Sequence, residues 1–438
     1  MEIPPWVERA LARLEDAGFS AYVVGGCVRD ALMGVRPRDW DVTTSALPSQ
    51  TNELFADERV LETGLRHGTV TLLFPEGPIE VTTFRTDGVY RDGRHPESVQ
   101  FVGSIEEDLA RRDFTMNALA FNSRTGLIDP FGGQHDICDT MIRAVGEPNE
   151  RLQEDALRIM RALRFSACLG FEIDENLAAA LHKNRDLLTR VAPERFCAEL
   201  LHMLVGPFVL SVLLAYPDVL AVLIPEIART VGHDQKTPYH RYDIWEHIAH
   251  AVAAGKADAR VRLALLFHDL GKPDCFFVDE EGRGHFYGHD VRGEEIARAR
   301  LTALRFSNAL VEDVSVAVRS HQASLRPENV LRWLSDLGED RLRLLIDVKR
   351  GDTAAHSDDV AEKGRANLAL IENRLDELIA QQACFALRDL AVNGDDLKAM
   401  GIPEGKEIGA FLAYLLDAVI EGELNNNREE LLAAVKLR

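Results

Sequence analysis

The chain has 438 residues, 46% of them hydrophobic, which is enough for about two to four domains with buried cores. No apolar run reaches the ~18 residues that a membrane helix needs, so the sequence predicts no membrane partner. Its start, MEIPPWVERALARLEDAGF, has the pattern of an amphipathic helix rather than of a signal peptide, which predicts a cytoplasmic protein. The net charge of −21 weighs against a nucleic-acid partner, yet a basic cleft on an acidic body can still bind RNA.

The sequence pattern changes near Gly146. Before this point, short apolar runs alternate with helical segments, and three strands are predicted at Ala21–Val24, Thr69–Phe74 and Ile79–Phe84. After it, long periodic helical segments are separated by Gly, Pro or Asn. The sequence therefore predicts an α/β head followed by three all-α domains, with boundaries at residues 1–145, 146–236, 237–360 and 361–438.

The most informative segment is AYVVGGCVRDALMGVRPRDWDVTT. Asp39 and Asp41 are one residue apart on a predicted strand, so both carboxylates would face one side and could hold Mg²⁺. Upstream, an apolar run ends in a Gly-Gly turn that opens a predicted helix, where backbone N–H groups can approach phosphates. Arg29 adds a cation beside that turn. Taken singly, a Gly-Gly pair indicates a turn and an Asp-x-Asp pair a solvated strand end.

Together these residues resemble the signature of the polymerase-β nucleotidyltransferase superfamily. The string is most similar to the bacterial-type (class II) tRNA nucleotidyltransferases, or CCA-adding enzymes, and their poly(A) polymerase relatives. The resemblance implies a polymerase-β-like mixed sheet, catalytic Asp39 and Asp41 with two Mg²⁺ ions, and Gly26 and Arg29 at the triphosphate. It also implies CTP and ATP as substrates and tRNA as the partner.

Two further head segments extend the resemblance. TTFRTDGVYRDGRHPESVQFV, with Arg85, Arg91 and Arg94, has the pattern of an exposed hairpin loop. In the family a similar loop is implicated in the switch from C to A addition, which favours full CCA synthesis.

LARRDFTMNALAF predicts a helix with Met116, Leu119 and Ala120 on its apolar face. Asp113 could simply cap this helix. The resemblance instead assigns Arg112 to the nucleotide phosphates, and Asp113 to the ribose or the local scaffold.

The segment EDALRIMRALRF is predicted to be one helix, Glu154–Phe165, with three arginines opposite a buried stripe. A solvated cationic face is the simplest interpretation. However, cytosine and adenine share an amine donor beside a ring-nitrogen acceptor, which a carboxylate at Asp155 and a guanidinium at Arg158 would complement. The segment also matches the base-selecting motif of the class II enzymes, and this resemblance implies further nucleotide contacts from Arg161 and Arg164.

A second group of polar residues occurs in the predicted third domain. The group comprises His247, His268, Asp269, His289, His321 and Asp352. A His-Asp pair ending an apolar helix, with His upstream and Asp far downstream, resembles the HD phosphohydrolase superfamily. The resemblance implies a site for Mg²⁺ or a divalent transition metal, and the ligand types do not choose among Mg²⁺, Mn²⁺, Ni²⁺ and Fe²⁺.

The last segment is predicted to be a helical tail, and its pattern resembles the tRNA-contacting tail of the family. Two rival functions stay open on sequence alone. A poly(A) polymerase, or an enzyme that adds only A or only CC, would share nearly every motif. An HD phosphohydrolase with a degenerate transferase head would need only the second group, although the intact Asp39 and Asp41 argue against it.

Overall fold

The computed structural model describes residues 1–87, 99–237 and 241–436. These residues form two compact units, Met1–Ala228 and Arg229–Arg438. The predicted loop arginines Arg91 and Arg94 lie outside the described residues. Pro238, next to the predicted domain boundary between residues 236 and 237, also lies outside them.

The first unit is built on one mixed sheet of seven strands, in the order β3-β4-β5-β2-β1-β8-β9. The strands of this unit are β1 Ala21–Val24, β2 Asp41–Thr44, β3 Arg59–Gly64, β4 Thr69–Phe74, β5 Gly77–Thr83, β6 Arg85–Asp87, β7 Val99–Phe101, β8 Ala120–Asn122, β9 Gly126–Ile128, β10 Met141–Ile142 and β11 Glu172–Ile173. Only β2 and β5 pair in parallel within the sheet. The predicted strands at β1 and β4 are confirmed, and the third lies within one or two residues of β5.

Helices cover this sheet and continue beyond it. Those of the first unit are α1 Pro5–Asp16, α2 Gly26–Leu32, α3 Pro48–Leu54, α4 Ile105–Ala110, α5 Gly133–Cys138, α6 Pro148–Glu154, α7 Leu157–Leu169, α8 Glu175–Asn184, α9 Pro193–Leu204, α10 Val209–Ala215 and α11 Pro217–Leu220. The fold class is confirmed as a mixed-sheet head followed by a mostly helical remainder.

Two local predictions are wrong. The segment after Arg112 is not a long helix, because only a short 3₁₀ turn, Thr115–Asn117, separates it from β8. There the backbone of β8 pairs with β1, so sheet pairing overrides the helical pattern of its buried apolar residues. Likewise Glu154–Phe165 is not one helix, since Asp155 has the extended angles φ −135° and ψ 103° between α6 and α7. Its side chain accepts a hydrogen bond from the N–H of Leu157 and so starts α7 anew.

The second unit is helical apart from one short hairpin. Its elements are α12 Ile244–Ala254, α13 Ala259–Phe267, α14 Lys272–Cys275, β12 Phe277–Val278, β13 Gly284–His285, α15 His289–Ala303, α16 Asn308–Ser320, α17 Val330–Ala354, α18 Asp358–Ala380, α19 Gly394–Ala399, α20 Lys406–Ile420 and α21 Arg428–Lys436. Among the described residues, no helix is both long and apolar enough to cross a membrane.

Two hydrophobic clusters organise the C-terminal half of this unit. One packs α17 against α18 and runs from Leu325 to Leu378. The other joins α19, α20 and α21 and runs from Cys384 to Val435. The predicted boundary between residues 360 and 361 therefore falls inside the first cluster, because the apolar stripe of α18 is buried against α17.

Candidate active sites

Three acidic residues, Asp39, Asp41 and Glu80, lie near the N-terminal end of β2. Asp41 begins the strand, and Asp39 lies in the bend just before it, so strand alternation does not place the pair as predicted. The parallel pairing of β2 with β5 instead sets Asp41 directly opposite Glu80. Glu80 was not predicted, although it is the acidic residue between buried Ile79 and Val81 on β5.

The electrostatics of this group suit a divalent cation. Partial desolvation and the nearby charges of Glu80 and Asp39 raise the pKa of Asp41 to about 6, against the opposing effect of Arg112. The side chain of Asp41 also reaches solvent, so screening weakens this repulsion. Carboxylate oxygens are the ligands that Mg²⁺ prefers, and a cation among them would relieve the repulsion. The donor set therefore fits the predicted metal.

Gly25 and Arg112 lie together beside the carboxylates. Gly25 has φ +78°, which favours glycine, and a Cβ placed there would lie 2.9 Å from Nη1 of Arg112, so a larger residue would also displace this guanidinium. Arg112 Nη2 is 3.5 Å from the wholly buried carboxylate of Asp108. Arg112 Nε has no hydrogen-bond partner among the described residues. The turn that opens α2 at Gly26 and this guanidinium are thus placed to receive an anion.

Three predicted arginines surround the ring of Phe165. Their guanidinium carbons lie 5.1 Å from the ring centroid for Arg29, 5.4 Å for Arg161 and 3.9 Å for Arg164. Arg29 also donates to Asn117 Oδ1 at 2.7 Å, and Arg164 pairs with Glu199. Each of the three arginines is paired with a carboxylate, Arg29 with Asp30, Arg161 with Asp113 and Arg164 with Glu199, so the guanidinium groups are held in place by ion pairs.

Asp113 links the head to α7. Its Oδ2 accepts from Arg161 Nε at 2.8 Å, and its Oδ1 accepts from Asn117 Nδ2 at 3.2 Å and from the N–H of Phe114 at 2.8 Å. Burial opposes ionisation of Asp113, but Arg161 and Asn117 outweigh it and lower its pKa to about 2. Asp113 is therefore a scaffold residue that orients Arg161, which agrees with one of the two expected roles.

Asp113→Asn should destabilise the protein by about 2 kcal/mol at pH 7, because its pKa falls from 3.8 to about 2 on folding. A lowered carboxylate pKa contributes stability above the unfolded value, and this stability is lost as the pH falls towards 2. Urea denaturation of the variant and the wild type should therefore converge at low pH. Asp57→Asn, which breaks an exposed pair with Arg13, is the matched control and should change little. An equal effect of both substitutions would contradict the assignment.

The proposed base-reading pair is present but is arranged differently from the prediction. Asp155 lies before α7 rather than on it, and its Oδ2 accepts from Arg195 Nη2 at 3.2 Å. Arg158 is buried and donates to Glu154 Oε2 at 2.7 Å and to the backbone oxygens of Arg111 and Arg151, both at 2.9 Å. Arg158 thus joins the head to α6 and α7, and it does not lie on a solvated face as the helical wheel indicated.

The second unit brings together the six residues of the predicted HD-type group. All six are buried, and they come from α12, α15 and α17 and from the ends of α13 and α16. Asp269 lies at the centre, with Oδ2 3.3 Å from His268 Nε2 and 3.4 Å from His247 Nε2. Its Oδ1 faces the other way, 3.4 Å from His289 Nε2 and 3.7 Å from His321 Nε2. We call these six residues the His/Asp cluster.

The orientation of two imidazole rings is compatible with metal ligation. The Nδ1 atoms of His289 and His321 lie 2.7 and 2.6 Å from the backbone oxygens of Phe286 and Val318. A carbonyl only accepts, so each Nδ1 carries a proton, and in the neutral ring with that tautomer the lone pair is at Nε2. These two Nε2 atoms are 3.1 Å apart. Burial lowers the pKa of His321, which favours its neutral form, so the facing lone pairs suit a shared cation.

On the other side of Asp269 the electrostatics differ, because burial of His268 is outweighed by the carboxylates of Asp269 and Asp352, which raise its pKa to about 10. His268 Nδ1 lies 2.7 Å from the backbone oxygen of Leu265, and its Nε2 lies 3.3 Å from His247 Nε2. Asp352 Oδ1 is 3.0 Å from His247 Nε2. The ligand atoms form three overlapping sets, and within each set they lie within 4.8 Å of one another. The sets are His247/His268/Asp269, His247/Asp352/His356 and Asp269/His289/His321.

Two residues that lie beside the His/Asp cluster, His356 and Lys272, were not predicted. His356 Nδ1 lies 3.6 Å from Asp352 Oδ1, and the Asp-x-x-x-His spacing in the sequence could have indicated it. Lys272 is buried with Nζ 2.7 Å from Asp269 Oδ2, and it stands three residues after that aspartate. His356 and Lys272 thus lie four and three residues after Asp352 and Asp269, which were predicted as members of the group.

Comparison with known proteins agrees with the two units. The family described as "Poly A polymerase head domain" matches residues 21–143, and "tRNA nucleotidyltransferase domain 2" matches residues 291–435. The CCA-adding enzyme of Geobacillus kaustophilus is 34% identical over 98% of this chain and 96% of its own. The CCA-adding enzyme of Streptococcus thermophilus is 32% identical over 99% and 98%.

Solved structures give the same result. The crystal structure of the Bacillus stearothermophilus CCA-adding enzyme in complex with CTP superimposes with a TM-score of 0.76 at 32% identity, covering 100% of this chain and 98% of that one. The Thermotoga maritima enzyme complexed with tRNA has a TM-score of 0.60 at 20% identity and shares the fold. Fold and site thus define a nucleotidyltransferase with helical domains after its head. The chain belongs to the family of CCA-adding enzymes.

Proposed function

We propose that the first unit adds cytidine, cytidine and adenosine to the 3′ end of tRNA from CTP and ATP. Membership of the CCA-adding enzymes supports the reaction, and one structural observation carries the site. That observation is the grouping of Asp39, Asp41 and Glu80 at the start of β2, where Arg112 acts electrostatically on Asp41. Cytoplasmic location stays a prediction from the sequence.

The residues would divide the work as follows. Asp39 and Asp41 would hold Mg²⁺, which when bound would acidify the primer 3′-OH and neutralise the triphosphate. The Gly25-Gly26 turn and Arg112 would orient the triphosphate, with Arg29 and Arg161 as further N–H donors nearby. The O–P bond to the primer forms as the bond to the leaving pyrophosphate breaks.

A single assay separates this function from its relatives. The protein is incubated with tRNA lacking CCA and with each nucleotide alone or in pairs, and the products are resolved by length on a gel. Two C residues followed by one A support CCA addition. Long A tracts would indicate a poly(A) polymerase, and products that stop at CC or require a preformed CC end would indicate a partial enzyme.

Base choice provides the sharpest test of the region around α7. Asp155→Ala should let UTP or GTP be incorporated, because strong rejection comes from leaving buried polar groups unpaired by the wrong base. The expected loss of discrimination is at least about 10-fold. Arg195→Ala removes the partner of the same carboxylate and is the control for mispositioning. Full selectivity for C and A in Asp155→Ala would leave the arginines of α7 with a scaffold role alone.

We also propose that the His/Asp cluster is a metal-dependent phosphoesterase site. The facing lone pairs of His289 and His321 support this, as does Asp269, whose two oxygens face ligands on opposite sides. A bound divalent ion, either Mg²⁺ or a transition metal, would polarise the phosphoester and activate water. Hydrolysis of a 2′,3′-cyclic phosphate on a damaged tRNA end, with water added and the P–O3′ bond broken, would leave the free 3′-OH that the head requires.

A further inference from the structure

We propose that three aromatic side chains beside the His/Asp cluster stack on a nucleobase, so that the phosphoester cleaved there belongs to a nucleotide or an RNA 3′ end. The side chains are Phe277, His285 and Tyr287, which we call the aromatic surface. The proposal rests on the phosphoesterase function proposed above, and adds the side chains that bind the base of the nucleotide whose phosphoester is cleaved.

The aromatic surface is organised by the hairpin of β12 and β13, which pairs Phe277 with His285. The two rings lie 5.2 Å apart at an interplanar angle of 24°, and the rings of His285 and Tyr287 lie 5.4 Å apart at 20°. These are offset stacks. The rings of Phe277 and Tyr287 are also only 5.8 Å apart, so the three rings contact one another pairwise. Asp279 Oδ2 lies 2.7 Å from His285 Nε2 and fixes the orientation of the His285 ring.

The aromatic surface is open to solvent. Tyr287 is 76% exposed and Phe277 is 46% exposed. Contacts among the rings explain how a very short hairpin is stabilised. They do not explain why the ring of Tyr287 remains uncovered. Large exposed rings grouped beside a polar cavity are typical of a ligand site.

A cavity of about 400 Å³ connects the aromatic surface with the cluster. Its lining includes His285 and Tyr287 of the aromatic surface, together with His289 of the cluster and Lys272 beside it. The ammonium group of Lys272 is 2.8 Å from Gln235 Oε1, in addition to its contact with Asp269. The same cavity thus brings together flat rings, a buried ammonium group and a histidine of the cluster.

A nucleotide matches these two kinds of group, because it carries a planar base at one end and a phosphate at the other. Every base has a π face, so stacking of this kind tolerates different bases. That tolerance suits RNA ends of varied sequence. A phosphoester without a planar group would leave the aromatic surface unused.

The test uses the full-length protein loaded with Ni²⁺ and two substrates. One is 2′,3′-cAMP, and the other is methyl riboside 2′,3′-cyclic phosphate, which has the same cyclic ester but no base. In Tyr287→Ala, the ratio of kcat/KM for the nucleotide to that for the base-free ester should fall about 10-fold, mainly through KM. Tyr287→Trp should restore the ratio. Val278→Ala, an exposed non-aromatic position of the same hairpin, is the matched control.

An unchanged ratio in Tyr287→Ala would overturn the proposal. If the wild type hydrolyses neither ester, the phosphoesterase function fails, and the aromatic surface is then judged by binding alone. For this purpose the fluorescence of 2-aminopurine riboside 3′-monophosphate is measured with the Ni²⁺-loaded protein. Quenching by the wild type that is lost in Tyr287→Ala supports the stacking surface, whereas equal or absent quenching in both proteins refutes it.

Discussion

Replacing Asp41 with asparagine is expected to lower nucleotide addition by roughly three orders of magnitude or more, while tRNA binding stays within a few-fold. Metal ligation stabilises charge that develops in the transition state, and several kcal/mol of such stabilisation corresponds to this loss in rate. The RNA complex does not depend on that charge, so ground-state binding is spared.

The measurement combines single-turnover addition of CMP to tRNA lacking CCA with a filter-binding titration of the same tRNA. Asp39→Asn should behave in the same way. Glu76→Gln is the control, because Glu76 is a carboxylate in the turn between β4 and β5 that pairs only with exposed Arg9 among the described residues. Substantial addition by either aspartate variant would remove the two-metal assignment.

Glu80→Gln tests the carboxylate that the sequence pattern did not reveal. If Glu80 helps to hold the cation beside Asp41, the variant should need a higher Mg²⁺ concentration for half-maximal addition. Loss of negative charge opposite Asp41 should also remove part of the repulsion that raises the pKa of that residue. A Mg²⁺ dependence identical to the wild type would limit Glu80 to a structural role on β5.

The sequence predicted elements well where one period dominates. The strand Ala21–Val24 is bounded by turn residues and the strand Thr69–Phe74 alternates buried and partly buried residues, and both appear with the predicted limits. Prediction was wrong where a polar side chain competes with the helical pattern. Asp155 caps α7 and breaks the expected helix, and β8 is a strand because β1 offers it a partner.

For the functional sites, too, the sequence predicted what depends on local segments and missed what depends on tertiary contacts. The order of His and Asp residues indicated the six residues that converge in the second unit, since each stands in a recognisable local segment. Glu80 could not be found in this way, because its proximity to Asp41 depends on the register of two strands distant in sequence. Arg158 has the same difficulty, since its burial against the backbone of Arg111 is a tertiary contact that a helical wheel does not contain.

The double substitution His268→Ala with Asp269→Ala is expected to abolish Ni²⁺-dependent hydrolysis of 2′,3′-cAMP and to leave CCA addition within about two-fold. Both residues offer ligand atoms to the His/Asp cluster, and they lie in the second unit while the transferase carboxylates lie in the first. The matched control is His135→Ala with Asp139→Ala, which removes an exposed His–Asp pair from the first unit.

Removing buried charges can also unfold a domain, so binding of the metal is measured independently of activity. Addition of Ni²⁺ should raise the melting temperature of the wild type, because an ion that binds only the folded state stabilises it, and it should not do so in the double variant. Elemental analysis should find the metal in the wild type and not in the variant. The milder pair His268→Asn and Asp269→Asn keeps a polar side chain at both positions, with the volume unchanged at 269, and should show the same two losses. A wild-type protein with no bound metal and no phosphoester hydrolysis under any divalent ion would mean that the cluster only holds α12, α13, α15, α16 and α17 together.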